Sequence, residues 1–444
     1  MRPRSVVWAG SALYALVYFL LGWDRYATYH SGADLGLFVQ VMSSAFAQGG
    51  FVSTLEGANH FTYHFSPILY AFAPFLIAAR SPLVLIALQA IAGALVAPGL
   101  YALAVRRCAP HTALAIAAIG WVYPPLAGIT FTDFHENGFV PAATVWLLWA
   151  LDARRLPIAA LLAAVLLATK EDQGLILATV GAGAALVLAR RGERPRALFG
   201  AGLAIVSLAT FVFYFMVVRH LAGATTPWDP LHFYALGVPS RGPTTPLFSF
   251  GRLTYLLEAF APLLFLPLLA PLVLTTLPGF AECLLSHESL TYTMGQHYAA
   301  VWIGYILSAY AVAAVRVRPA LRIAAIAASV VVLAVASPTH WAHFLRLPAR
   351  HDAVLDRFVS AIPSDVTVGT HDEIYAHLGF VPGAQIGLRG PRPSPPQFAL
   401  FDEHYHSTAW VQIVRPQFEE LLKAGVYRVV RSEDGVILAQ KTAR

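Results

Sequence analysis

Residues 133–172 read DFHENGFVPAATVWLLWALDARRLPIAALLAAVLLATKED, and the reading of this stretch decides the fold. Two apolar runs, 137–151 and 156–169, flank the tight turn Asp152-Ala-Arg-Arg-Leu-Pro157, so they pair as a helical hairpin. With 15 and 14 residues they reach only about 21–23 Å at 1.5 Å per residue, against a hydrocarbon core of about 30 Å. The far ends of the hairpin, Asp133–Glu136 and Lys170-Glu171-Asp172, therefore lie side by side at membrane depth. Ionisable groups at such depth are costly and face a polar cavity.

The rest of the chain supports a membrane setting for this hairpin. Its 444 residues are 57% hydrophobic and 12% charged, with a mean hydropathy of +0.62, far from the composition of a soluble domain. Apolar runs recur at 6–22, 64–80, 83–105, 112–131, 137–151, 156–169, 173–189, 197–218, 253–278, 297–315 and 320–337. A soluble enzyme with a single anchor is excluded. Residues 339–444 carry eleven acidic and eleven basic groups, so the net charge of +6 belongs to the membrane part and concerns topology, not nucleic acid. Cys108 and Cys283 fall on opposite expected sides of the membrane, which leaves no disulfide framework and no cysteine metal site. The run Val6 to Gly22 follows Met-Arg-Pro-Arg without a small-x-small cleavage site, and reads as a retained first span.

The arginines orient the spans. With Arg2/Arg4, Arg106/Arg107, Arg154/Arg155, Arg190/Arg191/Arg194/Arg196 and Arg316/Arg318/Arg322 in the cytoplasm, that side holds thirteen of nineteen basic residues and only Asp152 and Glu193 of thirteen acidic ones. Parity then requires that one run between the outer loop 23–63 and Arg106 does not span. Run 64–80, interrupted by Pro67 and Pro74, is the choice. Run 253–278, broken by Pro262, Pro267 and Pro271, crosses zero times or twice. The expectation is an all-α polytopic domain over residues 1–338 with nine to eleven spans and a cytoplasmic N-terminus. A small extracytoplasmic α/β domain follows over 339–444. In that domain helices are expected near 351–361 and 410–424, and strands at Val366–Thr370, Phe398–Phe401, Tyr427–Arg431 and Val436–Gln440. Arg389 to Pro396 reads as a Pro-rich loop.

Several outer-side residues are candidates for chemistry. Asp34 starts an amphipathic helix lying on the outer face, in which Leu35, Phe38, Met42 and Phe46 recur at helical spacing. Its carboxylate is either an N-cap or a general base or metal ligand at the lipid–water boundary, and the two roles are compatible. Asp133 and His135, two apart, can share a divalent cation if the backbone is extended. His64, Lys170, Glu171, Asp172, Arg241 and His297 complete an outward-opening polar set suited to an anionic, metal-assisted substrate such as a phosphate ester. Each is also an ordinary kind of residue for a membrane interface or helix end.

The motifs Asp34-Leu-Gly-Leu-Phe-Val-Gln40, Asn59-His-Phe-Thr-Tyr-His64-Phe-Ser-Pro67, Asp133-Phe-His135 and Lys170-Glu171-Asp172 together resemble the predicted membrane proteins of domain-of-unknown-function family 2079, over essentially the whole chain. That family is similar in architecture to the GT-C superfamily of glycosyltransferases. The resemblance implies that Asp34 matches an essential first-loop carboxylate. It also implies that Asp133 and His135 match a second-loop pair that holds a divalent cation, Mg or Mn, with Asp34. The C-terminal domain does not match a sequon-binding module, which argues against glycosylation at Asn. The expected function is transfer of a sugar from a polyprenyl-phosphate donor to an extracytoplasmic acceptor, with Asp34 as base and Lys170 and Arg241 as phosphate partners. The competing reading is a non-catalytic transporter, flippase or envelope scaffold handling a lipid-linked or anionic ligand. No internal repeat supports alternating access, and the polar groups crowd the outer ends rather than the midplane.

Overall fold

In the computed structural model, which describes residues 2–47, 50–225, 246–336, 345–388, 394–405, 407 and 410–442, the hairpin forms as helices Val140–Asp152 and Leu156–Leu167. Arg154 takes a left-handed φ of 58° in the turn between them. Asp152, at the closed end of the hairpin, pairs with Arg107 and, at 2.6 Å, with Arg106. Glu193 pairs with Arg196 at 2.5 Å and Arg154 at 3.6 Å. The two acidic residues expected among the arginine clusters are thus bound by them.

The Ala300–Ala314 helix is the centre of the helical core: it is buried almost throughout, and Trp302, Tyr305 and Tyr310 have at most 1% of their surface exposed. A Cβ on Gly304 would meet Thr144 at 2.6 Å, so glycine at this position lets the hairpin lie directly on this helix. The outer helices are the reverse. Leu198, Ile205 and Met216 on the Arg194–Leu221 helix are about 70% exposed, the surface expected of a helix facing acyl chains.

Among the described residues, five helices are long and apolar enough to cross a membrane: Pro3–Ala27, Leu83–Ala104, Asp172–Arg190, Arg194–Leu221 and His297–Ala314. A sixth results if Pro110–Val122 and Pro124–Phe131, bent by 48°, count as one span. The expected nine to eleven requires shorter helices such as Leu156–Leu167 and Pro319–Val335 to cross as well. Run 64–80 forms only the 11-residue helix Leu69–Ala79, about 16 Å long. Run 253–278 forms helix Phe250–Phe260 and then three short 3-10 turns, each with a proline in its first or second position. The first two turns are separated by left-handed Leu264 and Phe265. Neither segment is a continuous span.

The C-terminal unit is a five-stranded mixed sheet, with β1 Thr367–Thr370, β2 Gly383–Ile386, β3 Phe398–Asp402, β4 Tyr427–Glu433 and β5 Val436–Lys441 in the order β2-β1-β3-β5-β4. β1 pairs in parallel with β2 and β3, while β5 is antiparallel to β3 and β4. Strand β2 and the helix Asp372–His377 are additions to the sequence reading. Most of the Pro-rich loop and the expected domain boundary at 338 lie outside the described residues.

This unit changes the setting of the Asp34 helix. That helix, Ala33–Ser43, is not a surface amphipath: Leu35 through Met42 are all buried, between Leu69–Ala79 on one side and Asp372–His377 on the other. Gly36 and Gly379 make the crossing possible, since a Cβ on either would sit within 2.7 Å of Tyr375 or Val39 respectively. Gln40 is saturated at the contact: it donates to the Val381 and Ala384 carbonyls at 3.1 and 2.9 Å and accepts from Thr54 N and Tyr375 Oη at 2.9 and 2.7 Å. Nearby, the His377 ring is sandwiched between Tyr26 and Tyr29 with centroids 4.0 and 3.8 Å away. Burial there holds its pKa down to about 3, so it packs as a neutral ring.

Candidate active site

Asp34 lies in the first turn of its helix, and the N-cap is Gly32, not Asp34, so the capping role expected for Asp34 is not the one observed. A first-turn position still places the carboxylate at the positive end of the helix dipole. Its side chain is 48% exposed and its Oδ2 is 3.5 Å from His135 Nε2, which is 9% exposed. Asp34 is therefore both accessible and aimed at a buried imidazole.

His135 is held from three directions. Its backbone N–H donates to Gln89 Oε1 at 2.9 Å, while Gln89 Nε2 donates to the carbonyls of Thr132 and Ile129 at 2.8 and 3.1 Å. Gln89 is buried within the Leu83–Ala94 helix and fixes the entire Thr132–His135 bend. The His135 ring stacks on His297 with centroids 3.6 Å apart, and His297 in turn lies against Tyr298. Burial, aided by Lys170 and His64, holds the His135 imidazole below its usual range against the pull of Asp34 and Glu136. Nδ1 lies 3.2 Å from the Asp133 carbonyl. The proton of the neutral ring belongs on Nδ1, which leaves the Nε2 lone pair facing Asp34. Two acceptors thus confront each other across a gap that suits a hydrogen-bond donor.

Asp133 is already engaged. It forms a mostly buried ion pair with Arg25 from the end of the first helix, and its other oxygen accepts from Gly32 N at 2.7 Å. The cation implied by the resemblance would sit among Asp34, Asp133 and His135, and these residues do not fit it: a guanidinium already occupies Asp133. Among the described residues, the three-ligand His/carboxylate cluster with metal-binding spacing is His351, Asp402 and His404, in the C-terminal unit.

The open end of the hairpin supplies the other wall. Lys170 is buried among Glu136, Asp172 and Glu171, which together outweigh the effect of burial and raise its pKa, and it faces the Tyr298 ring at 5.9 Å. Burial pushes Glu171 up, but His64 at 2.9 Å, Lys170 and the Phe65 N–H at 2.8 Å bring it down to about 2. The structure thus assembles Asp34, His64, Asp133, His135, Lys170, Glu171, Asp172 and His297 in one neighbourhood. Arg241 lies outside the described residues. Arg252 is not part of the set: it donates to the carbonyls of Leu284 and Ser286 and stacks on Tyr292. Residues the sequence reading missed are Arg25, Gln89, Gly32 and Glu282, whose carboxyl faces Asp172. A lone Gln in an apolar span was the one available signal.

A many-helix apolar core, a polar cluster at the open end of a short hairpin and a sheet unit seated beside it define a multi-pass membrane protein with a preformed polar site. The chain belongs to the family described as predicted membrane protein (DUF2079), which it matches over residues 25–438. No curated protein matches it significantly. Its fold is similar to the crystal structure of ArnT from Cupriavidus metallidurans bound to undecaprenyl phosphate, with a TM-score of 0.60 at 12% identity over 97% of this chain and 98% of that one. The apo form of ArnT gives 0.58 at the same identity and coverage. The archaeal oligosaccharyltransferase AglB from Archaeoglobus fulgidus, in complex with an inhibitory peptide and a dolichol-phosphate, gives 0.40 at 11% identity over 97% of this chain and 74% of that one. The architecture is ArnT-like, in keeping with the GT-C resemblance of the sequence.

Proposed function

We propose that this protein is a membrane glycosyltransferase that takes a sugar from a polyprenyl-phosphate donor and passes it to an acceptor on the extracytoplasmic side. In this reading the chain has two domains, 1–338 and 339–444, with the N-terminus in the cytoplasm and the C-terminal domain outside. The observation that carries the proposal is the accessible Asp34 carboxylate facing the His135 Nε2 lone pair across 3.5 Å. An ArnT-like fold over nearly the full length of both chains supports the class, and the undecaprenyl phosphate bound in that structure supports the lipid class of the donor.

An acceptor hydroxyl entering the gap donates its hydrogen bond to Asp34 or His135. Asp34 takes the proton as the hydroxyl oxygen bonds to the anomeric carbon. The carbon–oxygen bond to phosphate breaks, its electron pair leaving with the lipid phosphate, and attack from the opposite face inverts the centre. His64, Lys170, Glu171, Asp172 and His297 bind the polar groups of the substrates. No step is assigned to a metal, because Arg25 occupies Asp133.

The test is release of lipid phosphate from a panel of labelled polyprenyl-phosphate sugars by purified protein in detergent. Asp34→Asn lowers release by about 10²- to 10⁴-fold, the usual worth of a general base, with melting unchanged. Equal turnover by wild type and Asp34→Asn overturns the assignment of the base. Absence of release from every donor by folded protein, with acceptor mixtures supplied, overturns the transferase in favour of transport or scaffolding.

A further inference from the structure

The metal-like geometry of this protein lies away from the hairpin, on the C-terminal sheet unit. Asp402 ends β3, His404 follows it in the next turn, and His351 lies in the first turn of the Arg350–Val359 helix. Asp402 Oδ2 is 2.9 Å from His351 Nε2, and Asp402 Oδ1 is 3.5 Å from His404 Nδ1. One ligand atom from each residue falls within 4.8 Å of those of the other two. Ligands bound tetrahedrally at about 2.1 Å are separated by about 3.4 Å; the two contacts, made through different oxygens of Asp402, lie near that spacing, and the wider set closes onto an ion by side-chain movement of the exposed His404.

The surroundings are those of a ligand set. The second nitrogen of His351, Nδ1, lies 3.1 Å from Asp434 Oδ2 in the β4–β5 turn. His351 Nε2 is itself hydrogen-bonded to Asp402, so an arriving cation takes the place of the Nε2 proton while Asp434 keeps the proton on Nδ1, the arrangement by which ligating histidines are oriented. Gly435, with φ of +76°, provides the room for the third ligand: a Cβ at this position would fall 2.9 Å from the His404 ring. His404 N–H donates to Asp402 Oδ1 at 3.0 Å, which pins both residues in one turn. His404 is 59% exposed, so water or a further donor can complete the shell.

We infer that His351, Asp402 and His404 form a binding site for one divalent transition-metal ion, with Asp434 as the orienting partner of His351. Two imidazoles and one carboxylate suit zinc and disfavour magnesium or calcium, which take oxygen shells. The ion clips the first helix of the C-terminal unit to the end of β3, and through Asp434 to the β4–β5 turn. Its role is separate from the transfer chemistry and does not depend on it.

The experiment uses the full-length protein in detergent, stripped with chelator and titrated with zinc against a chromophoric competitor, with melting followed in parallel. The expected result is one zinc per chain and a higher melting temperature on binding. Asp434→Asn weakens binding about 10- to 100-fold, and His404→Ala weakens it further. His404 is exposed and its removal leaves no cavity, so the circular dichroism of the His404→Ala protein serves as the fold control. Asp34→Asn binds zinc like the wild type. No uptake by folded wild type overturns the site and leaves His351 as a hydrogen-bonded clamp between two carboxylates. Uptake unchanged in His404→Ala and Asp434→Asn also overturns it, by placing the ion elsewhere.

Discussion

Replacing Asp133 by Asn separates a pair partner from a metal ligand. Arg25 and Asp133 are 11% and 12% exposed, and removing one member of a buried pair costs about 3–5 kcal/mol because the other charge is left uncompensated. The Asn amide oxygen still accepts from Gly32 N, which keeps the cost near the lower end, about 3 kcal/mol. With an unfolding entropy of about 2.1 cal/mol/K per residue, the chain's 444 residues give a loss of about 3 °C in melting temperature. The matched change Arg25→Gln removes the orphaned charge, so the Arg25→Gln/Asp133→Asn double variant is more stable than the sum of its parts by about 1.5 kcal/mol, within the range of coupled neighbours. The assay is detergent-phase melting of the four proteins of the cycle. If Asp133→Asn melts with the wild type, shows no coupling to Arg25, and loses a chelator-sensitive turnover, Asp133 is a metal ligand and the reasoning here fails.

Two further outcomes follow from the same geometry. Gln89→Leu removes the bonds that hold the Thr132–His135 bend and strands His135 N–H and the Thr132 carbonyl, at about 1–3 kcal/mol for each buried group left unpaired. It lowers turnover more than it lowers melting, because the His135 Nε2 lone pair is no longer aimed at Asp34; equal effects on both would count against a positioning role. Burial, with Asp372 and Asp402, raises the Glu373 carboxyl to about 8 while Arg346 opposes. The folded state therefore holds this proton more tightly than the unfolded one, so its contribution is greatest below the ordinary Glu pKa and is lost as pH rises from there to about 8. Glu373→Gln flattens the melting–pH curve across that window, and a curve parallel to wild type refutes the assignment.

Much of this was written in local sequence. The lengths of runs 137–151 and 156–169, and the Asp152 turn between them, determined a short hairpin with charged open ends. The arginines marked the closed end of the hairpin, where Arg106 and Arg107 meet Asp152. Spacing within about seven residues also marked four of the five strands, because alternation and turn chemistry are local properties. Asp372–His377 and β2 escaped it: a six-residue helix and a four-residue strand carry too few periods to register.

What only the tertiary structure decided were the pairings across a hundred residues or more. The Asp34–His135 gap, the His135–His297 stack and the Arg25–Asp133 pair join segments whose separation in the chain says nothing about contact. Leu35, Phe38 and Met42 read as the apolar side of a helix on the outer face because an apolar face has the same composition whether lipid or protein covers it; here protein covers it, with Phe38 against Phe134, while the Asp372–His377 helix packs on the Gly36 and Val39 side. The resemblance suggested a cation at Asp133, but a carboxylate attracts a guanidinium as readily as a metal. Which one it meets depends on the fold, and in this fold the end of the first helix delivers Arg25.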